Sequence, residues 1–330
     1  MTESLFREYL DDCDVGEWYP TMMDDKRLRR GIVFALAAAF VNSTSGIFAK
    51  LLILDFAPGD IAFSKCLLGF LVLTGWVAIT RRARKQSIRW TARSIAECAL
   101  CALFGFFGLF AFETLAYRGL AAPLVVVSLI GASTITTLVA AHFFLHERMT
   151  RNTFMTLIMI AGGLSLMLPS GVDADPMYLL LAIASGACYG AFLLLAKHFK
   201  IPDGLEGTWV LIGFGATFLA PFTSDPLSLI LEPSAWPYLL PLALVPTILG
   251  YLFTVKALGH APASTVQLFE VSEPVFSGLL AFALLGEIVS QKEGIGAAFV
   301  ICSLLMFHFK AFDRVILRLR SGTTVASRAP

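Results

Sequence analysis

The chain has 330 residues, a formal net charge of +1, 57% hydrophobic and 15% charged residues, and a mean hydropathy of +0.76. A soluble domain is nearer half apolar and a quarter charged, so this composition excludes a soluble globular fold and leaves a polytopic helical membrane protein. The basic residues sit in short links and tails rather than on one broad face, which excludes a nucleic-acid-binding surface.

Residues 1–25 are polar and acidic and contain no apolar core or small-residue cleavage site. No cleavable signal peptide is expected, and the first apolar run serves as an uncleaved insertion signal. Ten apolar runs follow, at roughly 31–53, 60–80, 95–115, 121–142, 153–170, 177–198, 206–223, 236–257, 263–285 and 294–312. Each approaches the ~20 residues that a helix needs to cross a hydrocarbon core, and short links join most of them.

Span one is broken by Asn42, Ser43, Thr44, Ser45 and Gly46, a stretch that either lines a cavity or lets helices approach closely. Lys65 lies about one turn into span two and is open between a gate charge and a snorkelling one; Glu113, near the end of span three, is expected to snorkel to the interface. Cys98 and Cys101 have CxxC spacing but no second pair and no nearby His or Asp, so they read as small buried hydrophobes and not as a zinc set. Span four carries Ser128, Ser133, Thr134, Thr136 and Thr137, with the same two readings as span one, and its His142 and His146 are not expected to hold a metal. Tyr189 in span six and Tyr251 in span eight lie deep, to stack on a planar solute or to pack the core. Pro237, Pro241 and Pro246 in span eight free carbonyls and permit bending.

Span nine and its end, ASTVQLFEVSEPVFSGLLAFALLGE over 263–287, form the expected functional centre. Glu270 and Glu273 sit near its middle, where an ionised carboxylate costs about 2.5–3.5 kcal/mol or more. Three residues apart, they share one helix face with Gln267 and Ser277. That stripe must face a wet cavity or the protein interior rather than lipid. A buried pair of this kind favours one shared proton.

Lys and Arg set the orientation. They crowd residues 26–30, 81–93, 148–151, 197–200 and 310–320, while the alternate links are nearly empty of them. Both termini are therefore expected in the cytoplasm, with the protein multi-pass in the cell (inner) membrane. The segment KAFDRVILRLR at 310–320 is open between a solvated basic tail and one lying on the anionic leaflet.

The chain also repeats. Shifted by 140 residues, GLAAP at 119–123 falls on GHAPA at 259–263 and LHE at 145–147 falls on LGE at 285–287; shifted by 147, Lys50 falls on Lys197. The expected organisation is a tail at 1–30, a first five-helix repeat at 31–170, a second at 177–312, and a basic tail at 313–330. Five is odd, so the second repeat is inverted, as in many secondary transporters with substrate at the midplane. Glu147 and Glu287 recur in both repeats at a helix end and read as structural, tying a loop or capping backbone. Glu270 and Glu273 align with Ile130 and Ser133, so the shared scaffold does not require them.

Several stretches carry a family resemblance. EPVFSGLLAFALLGE at 273–287 resembles the closing-helix motif of the EamA family in the drug/metabolite transporter superfamily, and LVAAHFFLHE at 138–147 is its first-half counterpart. APGDIAFSKCLLGF at 57–70 and LVPTILGYLFTVKALGHAPASTVQ at 244–267 resemble that family's second helix and its eighth-to-ninth helix passage. The resemblance covers about 31–312 and implies an all-α membrane protein of ten transmembrane helices in two inverted five-helix repeats. It also implies transport of small organic solutes, often export of amino acids or related metabolites. The chain departs from the family at Lys65, where Arg is common, and at Asn42, where an aromatic is common; the matching position in span six keeps Tyr189.

The expected function is a secondary transporter that exports an amino acid or related solute by alternating access, with its cavity lined by spans one, four, six and nine. The expected substrate-binding set is Asn42, Ser43, Lys65, Ser133, Tyr189, Tyr251, Gln267, Glu270 and Glu273, with proton coupling at Glu270 and Glu273. A passive facilitator, or an uptake carrier for a nucleotide-like or vitamin-like metabolite, stays open. No HExxH, GxSxG or paired-Asp motif supports an enzyme, and no Walker A pattern supports direct ATP drive. Expected partners are a small-molecule solute and the lipid bilayer, with a homodimer left open and no cofactor, metal or nucleic acid.

Overall fold

The fold is that of a computed structural model, described for residues 25–84, 90–145, 151–166, 176–202, 204–287, 290–292 and 294–303. Residues 1–24 of the expected tail at 1–30, the expected tail at 313–330, the end of span ten with the basic segment at 310–320, the basic residues at 85–89, and His146 and Glu147 lie outside the described residues. Among the described residues there is no strand. Helices run as α1 (Asp25–Asn42), α2 (Ser45–Leu52), α3 (Pro58–Arg84), α4 (Ala92–Ala102), α5 (Leu109–Ala116), α6 (Ala122–Leu145), α7 (Arg151–Leu166), α8 (Met177–His198) and α9 (Leu205–Leu219). They continue as α10 (Pro226–Leu231), α11 (Trp236–Leu242), α12 (Tyr251–His260), α13 (Ala263–Glu270), α14 (Glu273–Leu285) and α15 (Gly294–Ser303).

Among the described residues, six helical runs are long and apolar enough to cross a membrane: Lys26–Leu52, Pro58–Thr80, Ala92–Ala116, Met177–His198, Leu205–Phe222 and Pro233–His260. Four further apolar helices are shorter, at Ala122–Thr137, Leu157–Leu166, Glu273–Leu285 and Gly294–Ser303. Large apolar side chains cover the outside: Val33, Phe40, Ile79 and Phe282 are 63%, 54%, 71% and 67% exposed. A soluble monomer does not present such a surface, and the chain is an all-helical multi-pass membrane protein.

Local chemistry explains where the rods start, bend and stop. Thr91 and Ser94 form a reciprocal capping box that starts α4. Between α1 and α2 the Ser43 and Thr44 hydroxyls donate to the Phe40 and Val41 carbonyls, at 2.6 and 2.7 Å, covering backbone that the break exposes. Pro274, in the first turn of α14, has no N–H to offer the Glu270 carbonyl, so α13 ends and the chain turns at Val271–Ser272 before the helix resumes. Pro246 likewise has no N–H for the Leu242 carbonyl. There the Thr247 hydroxyl donates to that carbonyl at 2.8 Å, inside a π-helical stretch, Ala243–Gly250, that joins α11 to α12. A second π-helical stretch, Leu103–Gly108, joins α4 to α5. The 140-residue shift carries Leu103 onto Ala243, so the two widened turns coincide under that shift.

The core sits around α6, whose residues 124–134 are all buried; a helix apolar on every side belongs inside. Its most extensive contact is with α8. Gly186 and Gly190, spaced four apart, let the two backbones meet: a Cβ at 186 would stand 2.2 Å from the Leu129 carbonyl oxygen, and one at 190 would stand 2.6 Å from that of Ser133. Small residues at this spacing suit close helix pairs in lipid, where dispersion and backbone proximity replace the hydrophobic drive.

Candidate functional site

A cavity of about 30 Å³ lies where the broken and widened helices converge. It has room for about two waters at ~10–15 Å³ each. Asn42 and Ser45 reach it from the break between α1 and α2, and Leu109, Phe110 and Glu113 from α5 just past its π turn. Leu129 reaches it from α6, Tyr189 from α8, Pro246 and Tyr251 from the second π turn and α12, and Glu273 from the first turn of α14. The expected lining by spans one, four, six and nine is therefore incomplete. Spans three and eight also line the cavity, at the two π stretches, because a π turn shifts side chains around the axis and re-aims the residues after it.

Of the expected binding set, Asn42, Tyr189, Tyr251 and Glu273 line the cavity. Ser43, Lys65, Ser133, Gln267 and Glu270 are buried but do not line it. Ser43 turns its hydroxyl back onto Phe40, and Ser45 takes the cavity position. The Ser133 hydroxyl has no hydrogen-bond partner; Gln267 Nε2 donates to Thr134 Oγ1 at 3.4 Å while its Oε1 has none.

Glu270 and Glu273 do not share one continuous helix face, because the chain breaks between them at Val271–Ser272. Their surroundings differ as a result. Glu270 is fully buried and accepts hydrogen bonds from the Tyr189 hydroxyl at Oε2 (2.9 Å) and from Thr254 Oγ1 at Oε1 (3.1 Å). Glu273 is 7% exposed and faces the cavity. No described group hydrogen-bonds its carboxyl group. Tyr189 thus lines the cavity and donates its hydroxyl to Glu270.

Glu113 does not snorkel. It is 5% exposed, accepts the Tyr117 hydroxyl at 2.9 Å on Oε1, and has Oε2 3.7 Å from Lys65 Nζ. Lys65 is itself 1% exposed, with its ammonium 3.5 Å from the centroid of the Phe110 ring. The two charges were legible as opposite signs near the same end of adjacent antiparallel spans, which is the signal that pairs them. Rings complete the wall: Phe106 and Tyr251 have centroids 4.1 Å apart, Phe110 and Tyr251 5.6 Å, and the Tyr251 hydroxyl donates to the Gly105 carbonyl within the π turn.

At one end of the bundle Glu287 does what a structural helix-end residue does. Gly286, left-handed at φ 63°, stops α14 and turns the chain. Glu287 then accepts the Ala122 N–H at 2.7 Å on Oε2 and meets Lys50 Nζ at 2.9 Å on Oε1. Lys197, the counterpart of Lys50, donates instead to the Leu258 and Ala261 carbonyls at 2.6 and 2.8 Å. Asp60, at the start of α3, is also buried and accepts the Ser224 N–H at 2.7 Å, a tie that sequence reading did not single out.

Known proteins resemble this chain in sequence and fold. A solved crystal structure superposes over 85% of this chain and 98% of its own, with a TM-score of 0.58 at 18% identity, which establishes the fold alone. Two Bacillus subtilis (strain 168) proteins are similar along nearly their whole length. "Uncharacterized transporter YwfM" is 24% identical over 83% of this chain and 92% of its own. "Uncharacterized transporter YyaM" is 26% identical over 85% and 93%. The sequence model of the EamA-like transporter family matches twice, at residues 29–168 and 176–309. Those two matches cover the helices that build the cavity and the ties around it, and the chain belongs to the EamA-like transporter family.

Proposed function

We propose that the protein is a secondary transporter that exports a small organic metabolite, an amino acid or related solute, by alternating access coupled to protons at Glu270 and Glu273. The observation that carries this reading is the cavity, to which both matched segments contribute at interrupted helices. Asn42, from the first segment, and Tyr189, from the second, are counterparts under the 147-residue shift and line it together. Interrupted helices meeting at mid-bundle are how transporter folds present polar groups inside a membrane.

The double family match supports two repeats at 31–170 and 177–312, hence ten spans with the second five inverted. The lysine and arginine distribution supports cytoplasmic termini and insertion in the cell (inner) membrane. In this conformation the cavity admits water but no organic solute, so cargo enters when the segments part. The breaks at 43–44 and 271–272 and the two π stretches are the places where the rods bend most easily.

The test is flux in proteoliposomes preloaded with a labelled amino-acid mixture. Efflux above that of protein-free vesicles, accelerated when an imposed pH gradient is acid outside, is the expected result. Efflux that ignores the gradient selects a facilitator, and no efflux of any metabolite class contradicts the reading.

A further inference from the structure

Two carboxylates, Glu113 and Glu273, line the cavity, and Phe110, Tyr189 and Tyr251 supply ring walls. Their situations differ. Glu113 already accepts the Tyr117 hydroxyl on Oε1, and its Oε2, which has no hydrogen bond, is offset by the Lys65 ammonium at 3.7 Å. Glu273 is buried to within 7% of full burial, has no described hydrogen-bond partner, and points into the cavity. The titratable side chains that bear on it are the carboxyl groups of Glu270 and Glu113 and the phenols of Tyr117, Tyr189 and Tyr251. Lys50 and Glu287, near the far end of the same helix, pair with each other. Among the described residues around the cavity the cation is Lys65, and its ammonium is already held by Glu113 and the Phe110 ring.

A buried carboxylate without a partner is strongly unfavourable until a positive charge or a proton neutralises it. A cargo carboxylate entering this site meets acidic side chains and, among the described residues, no cation that is not already paired. A cargo ammonium meets an unpaired carboxylate and the faces of aromatic rings, both of which attract it. Resting on the transporter reading above, we propose that the cargo is recognised through a protonated primary amine held by Glu273, and that a carboxylate on the cargo is not what the site reads. Glu273 then holds either an ammonium or a proton, never both, so each expels the other.

Two ligands separate the alternatives: phenylalaninamide carries the ammonium without a carboxylate, and N-acetylphenylalanine carries the carboxylate without an ammonium. With purified full-length protein in nanodiscs, phenylalaninamide is expected to raise the thermal midpoint saturably, and N-acetylphenylalanine is not. In the competing range the apparent Kd for the amine should rise about tenfold for each unit by which pH falls. Glu273→Gln should lose the amine response while its ligand-free midpoint stays at or above that of the parent, which shows that it folds. An equal or larger response to N-acetylphenylalanine, no response to phenylalaninamide, or an amine response that survives Glu273→Gln overturns the inference. The readout needs no flux. Amine binding without efflux removes the transporter reading and leaves this one, whereas pH-driven efflux of N-acetylated solutes untouched by Glu273→Gln does the reverse.

Discussion

Efflux driven by a pH gradient is expected to fall to the level of protein-free vesicles when Glu273 is replaced by glutamine, with the protein still folded. Glutamine keeps the shape of the side chain but holds no exchangeable charge, so the cavity is fixed in one electrostatic state throughout the cycle. Stability should not suffer, because the Glu273 carboxyl group has no described hydrogen-bond partner to lose. Glu270 behaves in the opposite way. Its two oxygens take the Tyr189 and Thr254 hydroxyls, and Glu270→Ala leaves both unpaired at a cost of about 1–3 kcal/mol each. Efflux and thermal unfolding measured on the two variants should therefore separate them, one inactive and stable, the other unstable. Undiminished pH-driven efflux in Glu273→Gln would contradict the assignment.

The second large effect concerns Lys65 and Glu113. Breaking a buried ion pair from one side leaves an uncompensated charge and costs about 3–5 kcal/mol. Lys65→Met abandons the Glu113 carboxylate beside Tyr117, and Glu113→Gln abandons an ammonium that keeps only the Phe110 ring. The double variant Lys65→Met/Glu113→Gln removes both charges and still offers Tyr117 an acceptor. It should unfold at a higher temperature than either single variant, giving a coupling energy of at least about 2 kcal/mol in a double-mutant cycle. Additive losses would show that the 3.7 Å approach contributes little.

The residues that resisted sequence reading did so for identifiable reasons. Helix positions were legible because lipid imposes an apolar run on each rod, and α6, α8, α9 and α13 begin within a few residues of the expected starts. The break at Asn42–Gly46 was visible as polarity, and the role of Glu287 as a residue repeated at both helix ends. The two π stretches were not visible. LFGFFG reads as ordinary helix, and the widening depends on what packs against it, here Tyr251 reaching the Gly105 carbonyl. Pro246 signalled a bend but not its consequence, which was to bring span eight to the cavity. Glu270 and Glu273 were found by their cost in lipid, yet spacing alone placed them on one face. Pro274 had already given the reason to doubt that, since it removes the hydrogen bond that would have kept α13 and α14 continuous.

The most direct measurement concerns the tie between the two matched segments. Glu287 belongs to one segment and holds Lys50 and the Ala122 N–H of the other. If access alternates around the cavity, this end must open once per cycle. Cysteines placed by Lys50→Cys and Glu287→Cys, in protein whose six native cysteines are replaced, are joined with a reducible bismaleimide before efflux is recorded in proteoliposomes. The account predicts that joined protein carries no efflux and that cleaving the link restores it. Full efflux with the link intact would contradict it.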